Sequence, residues 1–292
     1  MKLFDLHCDT ITKLYENQNQ LYNGNSQVNI EKAQFLDRWN QVFAIFIPDT
    51  MRKEQALEYF LNVSRFYKEQ ISANSAHLSV KSNHLLSVEG GAVLAGKLEN
   101  IDILVENSVK LLTLTWNGEN ELGFGINKNK GLKTFGSRCV KKLEQSGIII
   151  DVSHLSEAGF YDVASLSTRP FVASHSNSKT ICNHKRNLTD EQFKHICSIG
   201  GIVGINFHRP FVSLNDGEYL SSLLSHIEHF LSLGGEKSVC IGSDFDGADI
   251  DESLNSIEKI TTLADEMKKI NYSDDLINDI MFNNAFDFFE RS

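Results

Sequence analysis

Proline is nearly absent from this chain, with three in 292 residues, and no Ser/Gly-rich hinge takes its place. Nothing therefore marks a linker, and residues 1–292 read as one domain. Cysteine is scarce as well. The five thiols, Cys8, Cys139, Cys182, Cys197 and Cys240, are odd in number and never spaced C-x-x-C. That argues against a disulfide framework and suits reduced cysteines in the cytoplasm. Basic residues are outnumbered 38 to 28, for a net charge of -10. A nucleic-acid partner is excluded on that ground, because phosphate binding needs clustered Lys and Arg. No apolar run reaches the roughly 18 residues that span a bilayer. The N-terminus shows no n-region, h-region and cleavage site, so a cytoplasmic protein with no membrane partner is expected.

What the chain does contain is a recurrence of strand-length apolar runs. They are "LFDLH" near 3–7, "VFAIFIP" 42–48, "HLLSVEG" 84–90, "KLLTLTW" 110–116, "GIIIDVSH" 147–154, "PFVASH" 170–175, "GGIVGINF" 200–207 and "SVCIGSDFDG" 238–247. Several are apolar without alternation, as expected of parallel strands covered on both faces. Helix-like segments lie between them. "EQALEYFLNVSRFYKEQISA" has apolar residues at three- and four-residue spacing, and "TDEQFKHICSIG" starts on an N-cap candidate, Thr189. "YLSSLLSHIEHFLSLGG" ends in glycines. Eight strands alternating with helices predict an α/β fold of the (β/α)8 TIM-barrel type, with a doubly wound open sheet as the alternative. The polar stretch 16–30 reads as a loop after the first strand, and 250–292 as helical packing that closes the fold.

Unexpected polar residues sit at the ends of these runs. His7 and Asp9 end the first, Glu89 the third, His154 the fifth, His175 the sixth and Asp244 the eighth. Each has a plain structural reading: an imidazole bonded to a carbonyl, a carboxylate capping a helix or pairing with a lysine. Taken jointly they place six costly polar groups at one end of an apolar core, where each unpaired group costs on the order of 2–7 kcal/mol. Shared metal ions remove that cost. In a barrel the strand ends converge on one mouth, where active sites lie. Alternation along a strand lets His7 and Asp9 point the same way, with Cys8 between them turned into the packing. Three imidazoles and two carboxylates without a thiolate suit a catalytic zinc pair. Two ions about 3.5–4 Å apart need a bridging carboxylate, terminal imidazoles and room for a hydroxide. Glu89, followed by Gly90 and Gly91, is the natural bridge; His7 and Asp9 complete one metal, His154 and His175 the other. Asp244 is left to shuttle a proton to a leaving nitrogen.

The motifs "DLHCDT", "SVEGG", "LTLTWN", "DVSH", "ASHSN…HKRNLTDEQ", "GGIVGINF" and "IGSDFDG" occur in the order found in the renal (membrane) dipeptidase family. The chain resembles that family from Phe4 to about Phe289. The resemblance implies a barrel with two zinc ions that cleaves dipeptides, some with a D-residue in second position. It makes His7, Asp9, Glu89, His154 and His175 the metal ligands, and Asp244 the catalytic aspartate. It places the substrate-carboxylate arginine at Arg186. A guanidinium suits that task because it donates two parallel hydrogen bonds, although Arg186 alone reads equally as an arginine at a surface helix start. A homodimer is also implied. Mammalian members carry a histidine against the substrate where this chain has Trp116. His184 and His208 are neighbours by sequence that could take over, but read better as solvated loop histidines. Asp246 reads as a structural acid behind the site.

The expected activity is therefore a zinc-dependent dipeptidase. Rival readings are a hydrolase of N-acyl amino acids or cyclic amides on the same binuclear barrel, and a non-catalytic binding protein. Specificity is expected to come from loops 16–30, 117–130 and 208–218.

Overall fold

A computed structural model describes residues 1–78, 82–213 and 218–291. Seven parallel strands form one sheet: β1 (Lys2–Cys8), β2 (Arg38–Phe46), β3 (His84–Glu89), β4 (Val109–Thr113), β5 (Ile149–Asp151), β6 (Val203–Ile205) and β7 (Val239–Ile241). Their order is β5-β4-β3-β2-β1-β7-β6. The run "PFVASH" forms no named strand. It is reduced to parallel bridges pairing Val172 with Asp151 and Ala173 with Val203. Those bridges fill the space between β5 and β6: Val152 N–H donates to Val172 (2.8 Å) and Gly204 N–H to Ala173 (2.9 Å). The sheet thus closes into a ring of eight positions, a (β/α)8 barrel.

The apolar runs read from the sequence do the packing expected of them. Leu6, Val42, Leu85, Leu111, Val172 and Cys240, one from each of six positions of the ring, share an interior cluster with Phe282, Ala285 and Phe288. The last three belong to the segment Asp279–Asn283 and the helix Asn284–Arg291. Phe4 stacks on Phe289 at 5.1 Å between ring centroids. The C-terminal helices therefore plug the end of the barrel away from the polar strand ends, as the reading of 250–292 anticipated; residue 292 lies outside the described residues. Burial of each such phenylalanine is worth about 1.5–3 kcal/mol.

Helices follow their sequence signals. Lys53–Ala73 and Tyr219–Ser232 are α-helical. Asp190–Ser198 starts on a full capping box, with Thr189 accepting from the Gln192 N–H and Gln192 accepting from the Thr189 N–H. The stretch 16–30 is a loop over 17–29, as expected, but a helix, Thr10–Glu16, separates it from β1. Of loop 208–218, residues 214–217 lie outside the described residues. Among the described residues no helix is long and apolar enough to cross a membrane.

Candidate active site

Asp9, a proposed ligand, and Asp244, the proposed proton shuttle, reach the barrel mouth differently from what strand alternation predicts. β1 ends at Cys8, and Asp9 is the residue that starts the next helix. β7 ends at Ile241, so Asp244 stands three residues beyond it in a turn. Backbone bonds bring the two together: Asp9 N–H donates to Phe245 (2.8 Å) and Asp244 N–H to His7 (3.1 Å). His154 and Asp244 both hold φ +65° and Asp246 +67°. Left-handed backbone at non-glycine residues is costly and concentrates where side chains must be aimed. Cys8 is packing, as expected, buried in the main apolar core with its thiol pushed well up, first by burial.

At the centre lies Glu89, buried at the end of β3. Its Oε2 is 3.6 Å from His7 Nε2. Its Oε1 is 2.8 Å from His154 Nε2 and 3.6 Å from His175 Nε2. His7 Nε2 also lies 3.5 Å from Asp9 Oδ2 and 3.8 Å from Asp244 Oδ1. His7, Glu89 and His175 form one group of metal-compatible atoms, and His7, Asp9 and Asp244 a second. One carboxylate thus faces one imidazole with one oxygen and two imidazoles with the other.

The hydrogen bonds behind these side chains fix which nitrogen is free. His154 Nδ1 is 2.9 Å from Asn117 Oδ1, an acceptor, so the proton sits on Nδ1. Ser174 Oγ donates to Asp151 (2.6 Å) and is left to accept from His175 Nδ1 at 2.7 Å. Both rings therefore aim an Nε2 lone pair at Glu89 and, 2.9 Å apart, at each other. His7 Nε2 and Asp9 Oδ1 are buried without any hydrogen-bond partner. Acceptors that converge on acceptors in a buried site call for a cation, and nitrogen and oxygen donors of this kind suit divalent zinc. The residues present fit a metal centre.

In the metal-free chain a proton on His7 answers the same demand for positive charge. Burial works against charge on His7, but Glu89 and Asp9 outweigh it and hold the imidazole well above its usual range. Burial opposes ionisation of Glu89 too, yet His154 and His7 keep its carboxyl well below the normal value. Asp9 is pushed up to about 7 by burial and then by Glu89. Burial lowers His154 and His175, keeping them neutral, as ligands must be.

Arg186 is 4% exposed, which rules out the surface reading. It donates from Nη2 to the His175 carbonyl at 3.3 Å and lies over the Phe211 ring at 5.3 Å. Its Nε is buried without a partner, and burial lowers its pKa to about 10. A cleft of about 410 Å³ opens over the site, lined among others by Asp9, Phe46, Glu89, Trp116, His154 and Asp244. His184 and His208 are not solvated loop residues. Both are half-buried against Phe211, with ring centroids 4.6 and 4.5 Å away, and His208 lines the cleft. Asp246 is the structural acid expected: its buried carboxylate accepts from Thr10 Oγ1, Lys13 Nζ and Gln27 N–H at 2.6, 2.9 and 2.7 Å.

Sequence reasoning passed over several residues that shape the site. Asn117 orients His154, and Asn206 donates to Asp244 Oδ2 at 2.9 Å. Buried Asp151 gathers Thr113, Ser153 and Ser174, and buried Asp5 gathers Gln41 and Ser243, tying strand ends together. A Cβ on Gly247 would stand 1.9 Å from Asp9 Oδ2. Gly90, at φ +123°, serves a backbone need, since its Cβ would meet the Ile47 carbonyl at 2.9 Å. Both asparagines carry the same signal as the ligands, a polar residue at the C-terminal end of an apolar run.

A parallel barrel with buried imidazoles and carboxylates converging at its mouth defines the class of metal-dependent hydrolases. The profile of the membrane dipeptidase family, peptidase family M19, matches residues 1–291, and the chain belongs to that family. It is a metallo-dipeptidase, an enzyme that hydrolyses peptide bonds. A Klebsiella pneumoniae protein described as "Uncharacterized protein in pqqA 5'region" is 28% identical over 236 residues, 76% of this chain and 83% of its own length. The solved dipeptidase AC, a metallo peptidase of family M19, is 25% identical with a TM-score of 0.92, covering 100% of this chain and 99% of its own. A metallo peptidase from Rhodobacter sphaeroides, liganded with a phosphinate mimic of the dipeptide L-Ala-D-Ala, is 24% identical with a TM-score of 0.91 over 100% and 99% of the two chains.

Proposed function

We propose that this chain is a zinc dipeptidase, folded as one domain over residues 1–292, with two zinc ions in the cluster around Glu89. His7, Asp9 and one oxygen of Glu89 would hold one ion; His154, His175 and the other oxygen would hold the second. The observation that carries the reading is the two-sided placement of Glu89, 3.6 Å from His7 on one oxygen and 2.8 Å from His154 on the other. Bound there, such ions polarise a carbonyl and bring water's pKa toward neutrality.

The chain's own residues supply the rest. Arg186 takes the terminal carboxylate of the substrate, its buried Nε being without a partner. That anchor limits the substrate to a short peptide whose scissile bond falls over Glu89. Asn206 holds Oδ2 of Asp244, leaving Oδ1 turned toward the His7 imidazole at 3.8 Å. From there Asp244 receives the proton of the attacking water and passes it to the leaving nitrogen. The phosphinate mimic of L-Ala-D-Ala in the similar Rhodobacter protein supports a dipeptide with a D-residue in second position.

A panel of dipeptides with L- and D-residues in second position, beside N-acyl amino acids and cyclic amides, tests this reading on zinc-loaded protein. Turnover of dipeptides that stops with chelator and returns with zinc is expected. Cleavage confined to acylated or cyclic amides would select the rival hydrolase.

A further inference from the structure

Phe46 and Trp116 stand edge to face in the cleft, 5.1 Å between centroids at 71°, with Trp116 6.3 Å from the His154 ring. Phe46 ends β2 and Trp116 follows β4, so the two flank β3, whose end carries Glu89. Arg186 follows the bridging segment at 172–173, and Phe211 follows β6. Around the ring of eight positions, β6 is four steps from β3 and the bridging segment ahead of Arg186 is three. The Arg186 guanidinium, lying over Phe211, therefore stands on the far side of the mouth from the midpoint of the aromatic pair.

We propose that Trp116 and Phe46 form the wall that receives the side chain of the substrate's first residue, so that the enzyme selects dipeptides with an apolar N-terminal residue. The inference rests on the reading of Arg186 as carboxylate anchor. With the carboxylate on the Arg186 side and the scissile carbonyl over Glu89, the first residue extends to the opposite wall. Both rings of that wall are half-exposed inside the cleft, a surface that an apolar side chain removes from water. Of the charges lining the cleft beside it, Lys13 is paired with Asp246 at 2.9 Å, and Glu16, which accepts from the Tyr59 hydroxyl at 2.9 Å, keeps its charge. The two rings add no charge of their own to the wall.

The test compares kcat/KM for Leu-Ala and Gly-Ala, each made with L- and with D-alanine, in the zinc-loaded wild type, Trp116→Ala, Phe46→Ala and Trp116→Phe. The wild type is expected to prefer Leu-Ala by about tenfold or more. Each alanine variant lowers that ratio about fivefold or more, whereas Trp116→Phe keeps most of it. Binding supplies a second readout. Of the two tryptophans, Trp39 is 4% exposed, so a reduced-amide analogue of Leu-Ala should shift the emission of Trp116, and the Gly-Ala analogue much less. A ratio near one in the wild type, a ratio unaltered in both alanine variants, or equal emission shifts overturns the proposal while the hydrolase reading stands. No turnover of any of the four dipeptides overturns both.

Discussion

Asn117 Oδ1 lies 2.9 Å from His154 Nδ1, and the opposite nitrogen of the same ring lies 2.8 Å from Glu89 Oε1. The amide fixes the tautomer and thereby presents a lone pair, not a proton, to the carboxylate. Replacing Asn117 with Ala frees the ring to flip and to protonate. Zinc affinity should fall about 10–100-fold, measured by competition with a chromophoric chelator, with the circular-dichroism spectrum unchanged. Unaltered affinity would show that the amide does not orient the ligand.

Arg186 is buried and cationic beside Asp244 and Glu89. As the proposed carboxylate anchor, Arg186 would give the substrate two charge-assisted hydrogen bonds, each worth about 1.5–3 kcal/mol, which Arg186→Ala removes. KM for dipeptides should rise about 100-fold or more with a smaller change in kcat, and Arg186→Lys should recover only part of the loss. A KM equal to that of the wild type would remove Arg186 from the carboxylate site.

Gly247 shows how closely the acids of the site are packed. A methyl group there would fall 1.9 Å from Asp9 Oδ2 and 3.0 Å from Asp244 Oδ1. Gly247→Ala should displace the Asp9 carboxylate and cost one metal per chain, read by elemental analysis of folded protein. Full metal content in the variant would mean that Asp9 is not a ligand.

His226 lies away from the metal cluster. It is fully buried, accepts the Ser178 N–H at Nδ1 (3.1 Å) and donates from Nε2 to the Val212 carbonyl (2.9 Å). Burial lowers its pKa from 6.5 to about 4, against the opposing effect of the Val212 bond. Above pH 6.5 the ring is neutral in both folded and unfolded chains and pH has no leverage. Between 6.5 and 4 the unfolded chain binds the proton first, so stability falls as pH falls, by about 3 kcal/mol over the whole window. Urea unfolding of metal-free protein at stepped pH should show this slope, and His226→Gln should reduce it, with buried His84, also lowered to about 4, supplying part of the remainder. Identical slopes would place the acid sensitivity elsewhere.

Much of this architecture was legible in the chain because parallel strands buried on both faces leave uninterrupted apolar runs, and polar residues stand out at their ends. Glu89, at the end of β3, stands out that way. The same rule misjudged local geometry at Asp9, His154 and Asp244, which lie past their strands: side-chain alternation cannot describe a helix start or a left-handed turn. The sixth strand shrank to bridges at Val172 and Ala173 although "PFVASH" reads like its neighbours. A Cβ on Gly204 or Gly242 would meet the Ser174 carbonyl at 1.9 Å, a close approach set by three distant segments together. Asn117 and Asn206 carried the strand-end signal but are amides, and a search for metal ligands passes over residues that only aim them. Burial of Arg186 was invisible because it depends on Phe211 folding across it.

In the proposed site Glu89 joins two cations, and counting metal ions per chain probes that bridge. Protein reconstituted with zinc, freed of excess and analysed by mass spectrometry under native conditions should carry two zinc ions per chain, falling to one or none in Glu89→Gln. One zinc in the wild type, or two retained in Glu89→Gln, would contradict the account.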